Sequence, residues 1–135
     1  MAAPEAHISP DEAALNALEP YDPVYKLNSE GRVVGLRLEG RRIPASVLDE
    51  ACKLTELTEL SLYAASISDD DLEKLQSLKN LRGLGLGATA ITNKGLAHLE
   101  KLPALRWIWL PKALVPSPGL EALKTAIPEL TAYPQ

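Results

Sequence analysis

An α/β repeat solenoid is the fold class this sequence predicts, and three observations predict it. Apolar residues recur every 24 residues; each recurrence contains a short stretch that alternates apolar and other residues; and leucines three apart follow that stretch. Alternation with period two turns one side of a short strand toward a core, and three-residue spacing marks one face of a helix. The period emerges when Leu54-Thr55-Glu56-Leu57 is aligned with Leu78-Lys79-Asn80-Leu81 and Leu102-Pro103-Ala104-Leu105. One column then reads Leu36, Leu60, Leu84, Ile108, and the next Leu38, Leu62, Leu86, Leu110. Others read Ile43, Ile67, Ile91, Val115; Leu48, Leu72, Leu96, Leu120; Val33, Leu57, Leu81, Leu105; and Ala51, Leu75, Leu99, Leu123. The last, Glu30, Leu54, Leu78, Leu102, holds the one residue in this alignment that is not apolar.

The 135 residues suit one domain, spanning residues 1–135, and with 46% hydrophobic residues they can fill a core without disulfides or a structural metal. In chain order, residues 8–32 are expected to form an N-terminal cap. Ser9-Pro10-Asp11-Glu12 reads as a capping box with proline at the first helical position, followed by Leu15 and Leu18, with Pro20 and Pro23 ending the helix. Tyr25-Lys26-Leu27, the turn Asn28-Ser29-Glu30-Gly31 and Arg32-Val33-Val34 read as a hairpin. A helix that recruits a partner is the alternative reading of this cap. Residues 33–125 hold four repeats, with strands expected at 35–39, 59–63, 83–87 and 107–111. Ser68 before Asp69, Asp70 and Asp71 marks a helix start, and Thr92 occupies the equivalent place one unit on. Residues 126–135 form a C-terminal cap in which Ile127 and Leu130 begin a truncated fifth unit. Pro111, Pro116, Pro118, Pro128 and Pro134 lie in or after the last expected repeat strand, and proline, which cannot donate to a ladder, is expected to protect the terminal edge.

The stretch Leu81-Arg82-Gly83-Leu84-Gly85-Leu86-Gly87-Ala88-Thr89-Ala90-Ile91-Thr92-Asn93-Lys94-Gly95-Leu96-Ala97-His98-Leu99 resembles the leucine-rich repeat of the bacterial kind, LxxLxLxxTxITDxGLxxL. Asn93 stands at the Asp of that pattern. The preceding unit matches through Ile67-Ser68-Asp69 and Leu72-Glu73-Lys74-Leu75, with Ala65 at the threonine and Asp71 at the glycine. The resemblance spans about residues 30–125. It implies a leucine-rich repeat solenoid, a short right-handed β-α superhelix with a parallel sheet on its concave face and helices on its convex face. It also implies a bacterial source and a protein-interaction role.

In such a repeat the alternate strand residues lie free on the concave face, in columns across strands about 4.8 Å apart. The columns are Gly35, Glu59, Gly83, Trp107; then Arg37, Ser61, Gly85, Trp109; then Glu39, Tyr63, Gly87, Pro111. Strand glycines pack nothing, so something must offset their cost. Either a ligand approaches the bare backbone between Tyr63 and the tryptophans, or Trp107 and Trp109 lean across the glycines, or the tail with Tyr133 folds over the indoles. Exposed tryptophan and tyrosine concentrate binding energy. A protein or peptide partner is therefore expected at Arg37, Glu39, Glu59, Ser61, Tyr63, Gly85, Trp107 and Trp109, on a monomer. A carbohydrate-binding module and a structural self-association unit are the alternatives.

Other chemistry is argued against. The net charge of −4, from 14 basic and 18 acidic residues, opposes a phosphate-backbone binder. Gly83-Leu84-Gly85-Leu86-Gly87 lacks nucleotide-loop spacing. His7 and His98 have no partner at metal spacing, and His98 falls at a solvent-facing helix position. Asp69, Asp70 and Asp71 are accounted for by the helix start. Cys52, the single cysteine, has no histidine nearby and reads as a partly buried structural thiol. Nothing raises a pKa at Glu39 or Glu59 toward neutrality, so no enzyme, metal or cofactor is expected. The start, Met1 to His7, has no basic flank or apolar run, and no stretch approaches the roughly 20 apolar residues of a membrane span. A cytoplasmic location follows as an expectation.

Overall fold

The distance the chain runs between strands decides their direction. Strands β1 (Val24–Leu27) and β2 (Val33–Arg37) are joined by a turn in which Asn28 Oδ1 accepts from the amides of Glu30 and Arg32, at 2.9 and 3.0 Å. So short a connection makes the pair antiparallel. Every later crossover is long enough to return the chain to the same end. Strands β3 (Glu59–Ser61), β4 (Gly83–Gly85), β5 (Trp107–Leu110) and β6 (Thr131–Pro134) therefore add in parallel, each beside the one before it in the sequence. The structure, a computed structural model, describes residues 10–135; His7, Ser9 of the expected capping box and residues 8–9 of the expected cap lie outside the described residues.

This architecture corrects the expected leucine-rich repeat solenoid. The protein is a small α/β fold with one six-stranded mixed sheet, one pair antiparallel and the rest parallel. Its crossovers do not repeat. After β2 comes helix α2 (Val47–Ala51), after β3 a 3₁₀ segment Asp69–Ser77, after β4 helix α3 (Asn93–Leu96) running into a 3₁₀ turn Ala97–Lys101, and after β5 a 3₁₀ turn Lys112–Leu114 and helix α4 (Pro118–Ala126). The spacing of apolar columns sets strand register, but the geometry of each crossover follows from local backbone bonding, which the columns do not carry.

Register keeps the spacing strictly. Gly35 lies opposite Glu59, Glu59 opposite Gly83, Gly83 opposite Trp107 and Trp107 opposite Thr131. On the other side of the sheet Leu36, Leu60, Leu84 and Ile108 lie side by side and are buried, as are Leu38, Leu62, Leu86 and Leu110. The crossovers close this core with Leu48, Leu72, Leu96 and Leu120, and burial of each such side chain contributes roughly 1.5–3 kcal/mol. Val115 is only partly buried, against the edge of the core.

Helix α1 (Pro10–Leu18) buries Ala14 and Leu18, four residues apart on one face. Its Asp11 is 1% exposed and accepts from Arg32 Nε at 2.9 Å, Arg32 Nη2 at 3.0 Å and the Val33 amide at 2.8 Å. Burial works against the charged carboxyl, but the Arg32 and Val33 hydrogen bonds and the Arg32 charge outweigh it and hold Asp11 below its ordinary pKa. The helix is thereby tied to the start of β2.

Between crossovers a second polar ladder runs. The Asp69 carboxylate accepts from the Thr92 amide at 2.6 Å and from the Thr92 hydroxyl and Gly95 amide, so despite partial burial its pKa lies below the ordinary value. One unit on, Asn93 Oδ1 accepts from the Gly119 amide at 2.9 Å. A Cβ on Gly95 would stand 2.5 Å from Asp69 Oδ1, and one on Gly119 would stand 2.5 Å from Asn93 Oδ1. Both glycines are bare because the preceding unit reaches into their amides. Ser68 starts the segment Asp69–Ser77 as expected, through a capping box with Asp71, whose carboxylate accepts from the Ser68 amide at 2.7 Å and its hydroxyl at 3.0 Å. Of the five clustered prolines only Pro134 sits in a strand, in the edge strand β6 opposite Leu110.

Candidate functional site

Because Leu36, Leu60, Leu84 and Ile108 face the core, their neighbours in each strand face away from it. The antiparallel register adds β1 to this open side, with Val24 opposite Arg37 and Lys26 opposite Gly35, and the parallel register of β6 adds Thr131 and Tyr133. The result is a groove of about 890 Å³ across the sheet. Its floor is Gly35, Ser61, Gly83 and Gly85, one wall is Val24 and Lys26, and the opposite wall is Trp107, Trp109, Tyr133 and Gln135.

The two indoles differ in exposure. Trp107 is 39% exposed, and the Arg82 guanidinium lies 6.0 Å from its ring centroid, a cation–π arrangement. Trp109 is half-buried, stacks on Tyr133, and brings its Cζ3 within 3.8 Å of where a Gly83 Cβ would stand. Glu59 leans on the same glycine from the other side, its Cγ 3.6 Å from that point. The neighbouring glycines are covered differently: Ser61 Oγ lies 3.1 Å from the Cβ position of Gly85, and the Gln135 side chain sits over Gly87.

Charge is unevenly satisfied. Glu39 accepts from Ser61 Oγ at 2.8 Å and Arg37 Nε at 3.3 Å; partial burial opposes its ionisation, but these two bonds and the Arg37 charge hold its pKa below the ordinary carboxylate value. Glu59 is exposed and, among the described residues, has no pairing partner.

Of the residues singled out from the sequence, Arg37, Glu39, Glu59, Ser61, Gly85, Trp107 and Trp109 all line the groove. Tyr63 does not join them. It lies beyond the end of β3, 37% exposed. Val24, Lys26, Tyr133 and Gln135 were not among the expected site residues. Tyr133 was legible as the next member of the column Arg37, Ser61, Gly85, Trp109, had that column been carried one strand further.

Elsewhere, Asp69 is engaged by the adjoining unit, His98 is half-buried in a 3₁₀ turn, and Cys52 donates to the Lys74 carbonyl at 3.1 Å. Among the described residues no group of three or more His, Cys, Asp or Glu side chains is placed to hold a metal ion. No helix among them is long and apolar enough to cross a membrane. No protein-family model matches the chain, and no curated protein matches it.

Proposed function

We propose that this protein is a non-catalytic binding module that takes a protein segment or peptide in the groove over β2 to β6. The observation that carries the reading is an aromatic wall beside a floor of small residues: Gly83 and Gly85, buried under Glu59, Trp109 and Ser61, lie beside Trp107, Trp109 and Tyr133 in a groove of about 890 Å³. Aromatic side chains concentrate interface energy, and a floor of small residues leaves room for a ligand chain above it. The resemblance of the 24-residue units to leucine-rich repeats, a family of interaction modules, points the same way. In this reading the protein acts as a monomer in the cytoplasm, where a lone half-buried thiol suits a reducing environment.

A carbohydrate is the second reading, favoured by one feature: Trp107 and the stacked Trp109–Tyr133 pair offer aromatic faces on which a sugar ring can lie. Amide chemical-shift mapping separates the two. A pool of random nine-residue peptides is expected to shift Ser61, Gly83, Gly85 and Trp107, and soluble oligosaccharides are not. Shifts confined to residues away from the sheet face would overturn the proposal.

A further inference from the structure

The groove holds one acidic side chain without a pairing partner, and it is not at the rim. Glu59 stands between Gly35 and Gly83 in the strand register, so no neighbouring side chain on its row crowds it. Its stem and the Trp109 ring converge on the same bare position, 3.6 and 3.8 Å from the point a Gly83 Cβ would occupy. Trp107 is the residue directly opposite Gly83 on the next strand. Two side chains therefore meet over Gly83, the Glu59 stem and the Trp109 indole, and a second indole, Trp107, stands beside it on the next strand. Carboxylates pair with cations and indole faces attract them, so the chemistry shared by all three is recognition of positive charge. The remaining carboxylate of the groove, Glu39, is already taken up by Arg37 and Ser61 and does not compete for a guest.

We propose that the partner peptide places an arginine or lysine side chain over Gly83, between the Glu59 carboxylate and the indoles of Trp107 and Trp109. This rests on the peptide-binding reading above and adds to it the charge of the guest. The site carries its own internal control. Arg82 approaches Trp107 at 6.0 Å with the same sign as the guest, while Glu59 has the opposite sign. Removing either charge moves the affinity of a basic peptide in opposite directions, and an acidic peptide responds with both directions reversed.

The full chain, labelled at its N-terminal amine, is exposed to an array of random nine-residue peptides. The best binder is then titrated in solution against the wild type, Glu59→Gln, Arg82→Gln and Trp107→Ala. The expected result is a bound set enriched in arginine or lysine at one position, weakened about fivefold by Glu59→Gln and not weakened by Arg82→Gln. Replacing that arginine by citrulline, or the lysine by norleucine, should weaken binding to the same extent. A peptide released by Trp107→Ala but indifferent to Glu59→Gln, or strengthened by it, overturns the basic guest and leaves the groove reading standing. An array in which no peptide depends on Trp107 overturns both. Glu59 is exposed and its replacement is isosteric, so loss of fold does not mimic the expected result.

Discussion

Tyr133 stacks on Trp109 with ring centroids 5.5 Å apart and planes 24° apart, which makes the last strand a structural support for one tryptophan and not for the other. Trp109 is held between Tyr133 and the glycine floor, whereas Trp107 remains 39% exposed. The two indoles should therefore separate by role. Trp109→Ala is expected to cost about 2 kcal/mol of stability, combining lost burial with a lost aromatic pair. Trp107→Ala should cost under about 1 kcal/mol, chiefly the Arg82 contact. Urea unfolding of both variants measures this, and equal losses would mean that the stack does not distinguish them.

The Asp11–Arg32 contact predicts a pH dependence. Asp11 has its pKa depressed below the ordinary 3.8, so its contribution is fully present above that value and is lost as pH falls through the lower, folded-state pKa. Stability should hold between pH 7 and 5 and decline below about pH 4. In Asp11→Asn that part of the decline should be absent, leaving the share due to Asp69 and Glu39, which are depressed in the same direction. Arg32→Ala leaves a buried carboxylate with only the Val33 amide, at a cost of about 2–3 kcal/mol at neutral pH. Urea titrations at pH 7, 5 and 3 decide it; parallel pH profiles for wild type and Asp11→Asn would exclude the contact as their cause.

These two contacts also mark how far the sequence could be read. The row Gly35, Glu59, Gly83, Trp107 was legible because one spacing governs both which residues turn inward and which strands lie abreast. The antiparallel direction of β1 was legible from the turn at Asn28–Gly31, but its exact pairing was harder, since the ladder shifts register between Lys26 and Leu27 and an irregularity of that kind leaves no periodic trace. Strand β6 was hidden for a different reason. Ala132 and Pro134 stand where the other strands carry leucine or isoleucine, so the apolar alternation fades although the pairing persists. The choice between 3₁₀ and α geometry in the crossovers depends on backbone bonding and on caps such as Asp69 to Thr92, and Asp11 finds Arg32 across 21 residues with no repeat to announce it.

Glycine substitutions should sort by what already occupies the space. At Gly83 a Cβ meets Glu59 and Trp109 at ordinary contact distances, so Gly83→Ala is expected to stabilise by about 0.5–1 kcal/mol while narrowing the floor of the groove. At Gly95 the same atom would strike Asp69 Oδ1, and Gly95→Ala should destabilise by about 1–2 kcal/mol. Removing the obstruction with Asp69→Ala costs its own hydrogen bonds, about 1 kcal/mol, but should relieve the clash. The double variant is thus expected to lose less than the two singles together, and strict additivity in a double-mutant cycle would refute the contact.

Positive φ gives the reverse case. Gly40, Ala64 and Ala88 follow β2, β3 and β4 at corresponding places, with φ of 112°, 61° and 55°. Only the first is free of a side chain that the left-handed region disfavours. Ala64→Gly and Ala88→Gly should each stabilise by up to about 1 kcal/mol, less whatever the added freedom of the unfolded chain takes back. Thermal unfolding of the two variants provides the check, and a fall in Tm for both would show that those backbone positions are not strained.

The thiol of Cys52 tests the packing on the crossover side. Burial pushes its pKa up to about 11, an effect that the neighbouring Ser77 and Lys74 only partly offset. Because the thiolate is the reactive form, modification by a disulfide reagent at pH 8 should be roughly a hundredfold or more slower in the folded protein than in urea. A raised pKa also carries a sign for stability: the contribution is complete below the unfolded value near 8.5 and disappears as pH climbs toward 11. Cys52→Ser should keep the hydrogen bond to the Lys74 carbonyl and flatten the alkaline decline. Rapid labelling of the native thiol would instead mean that the segment between β2 and β3 opens readily, and that the core beneath it is less tightly closed than its buried leucines indicate.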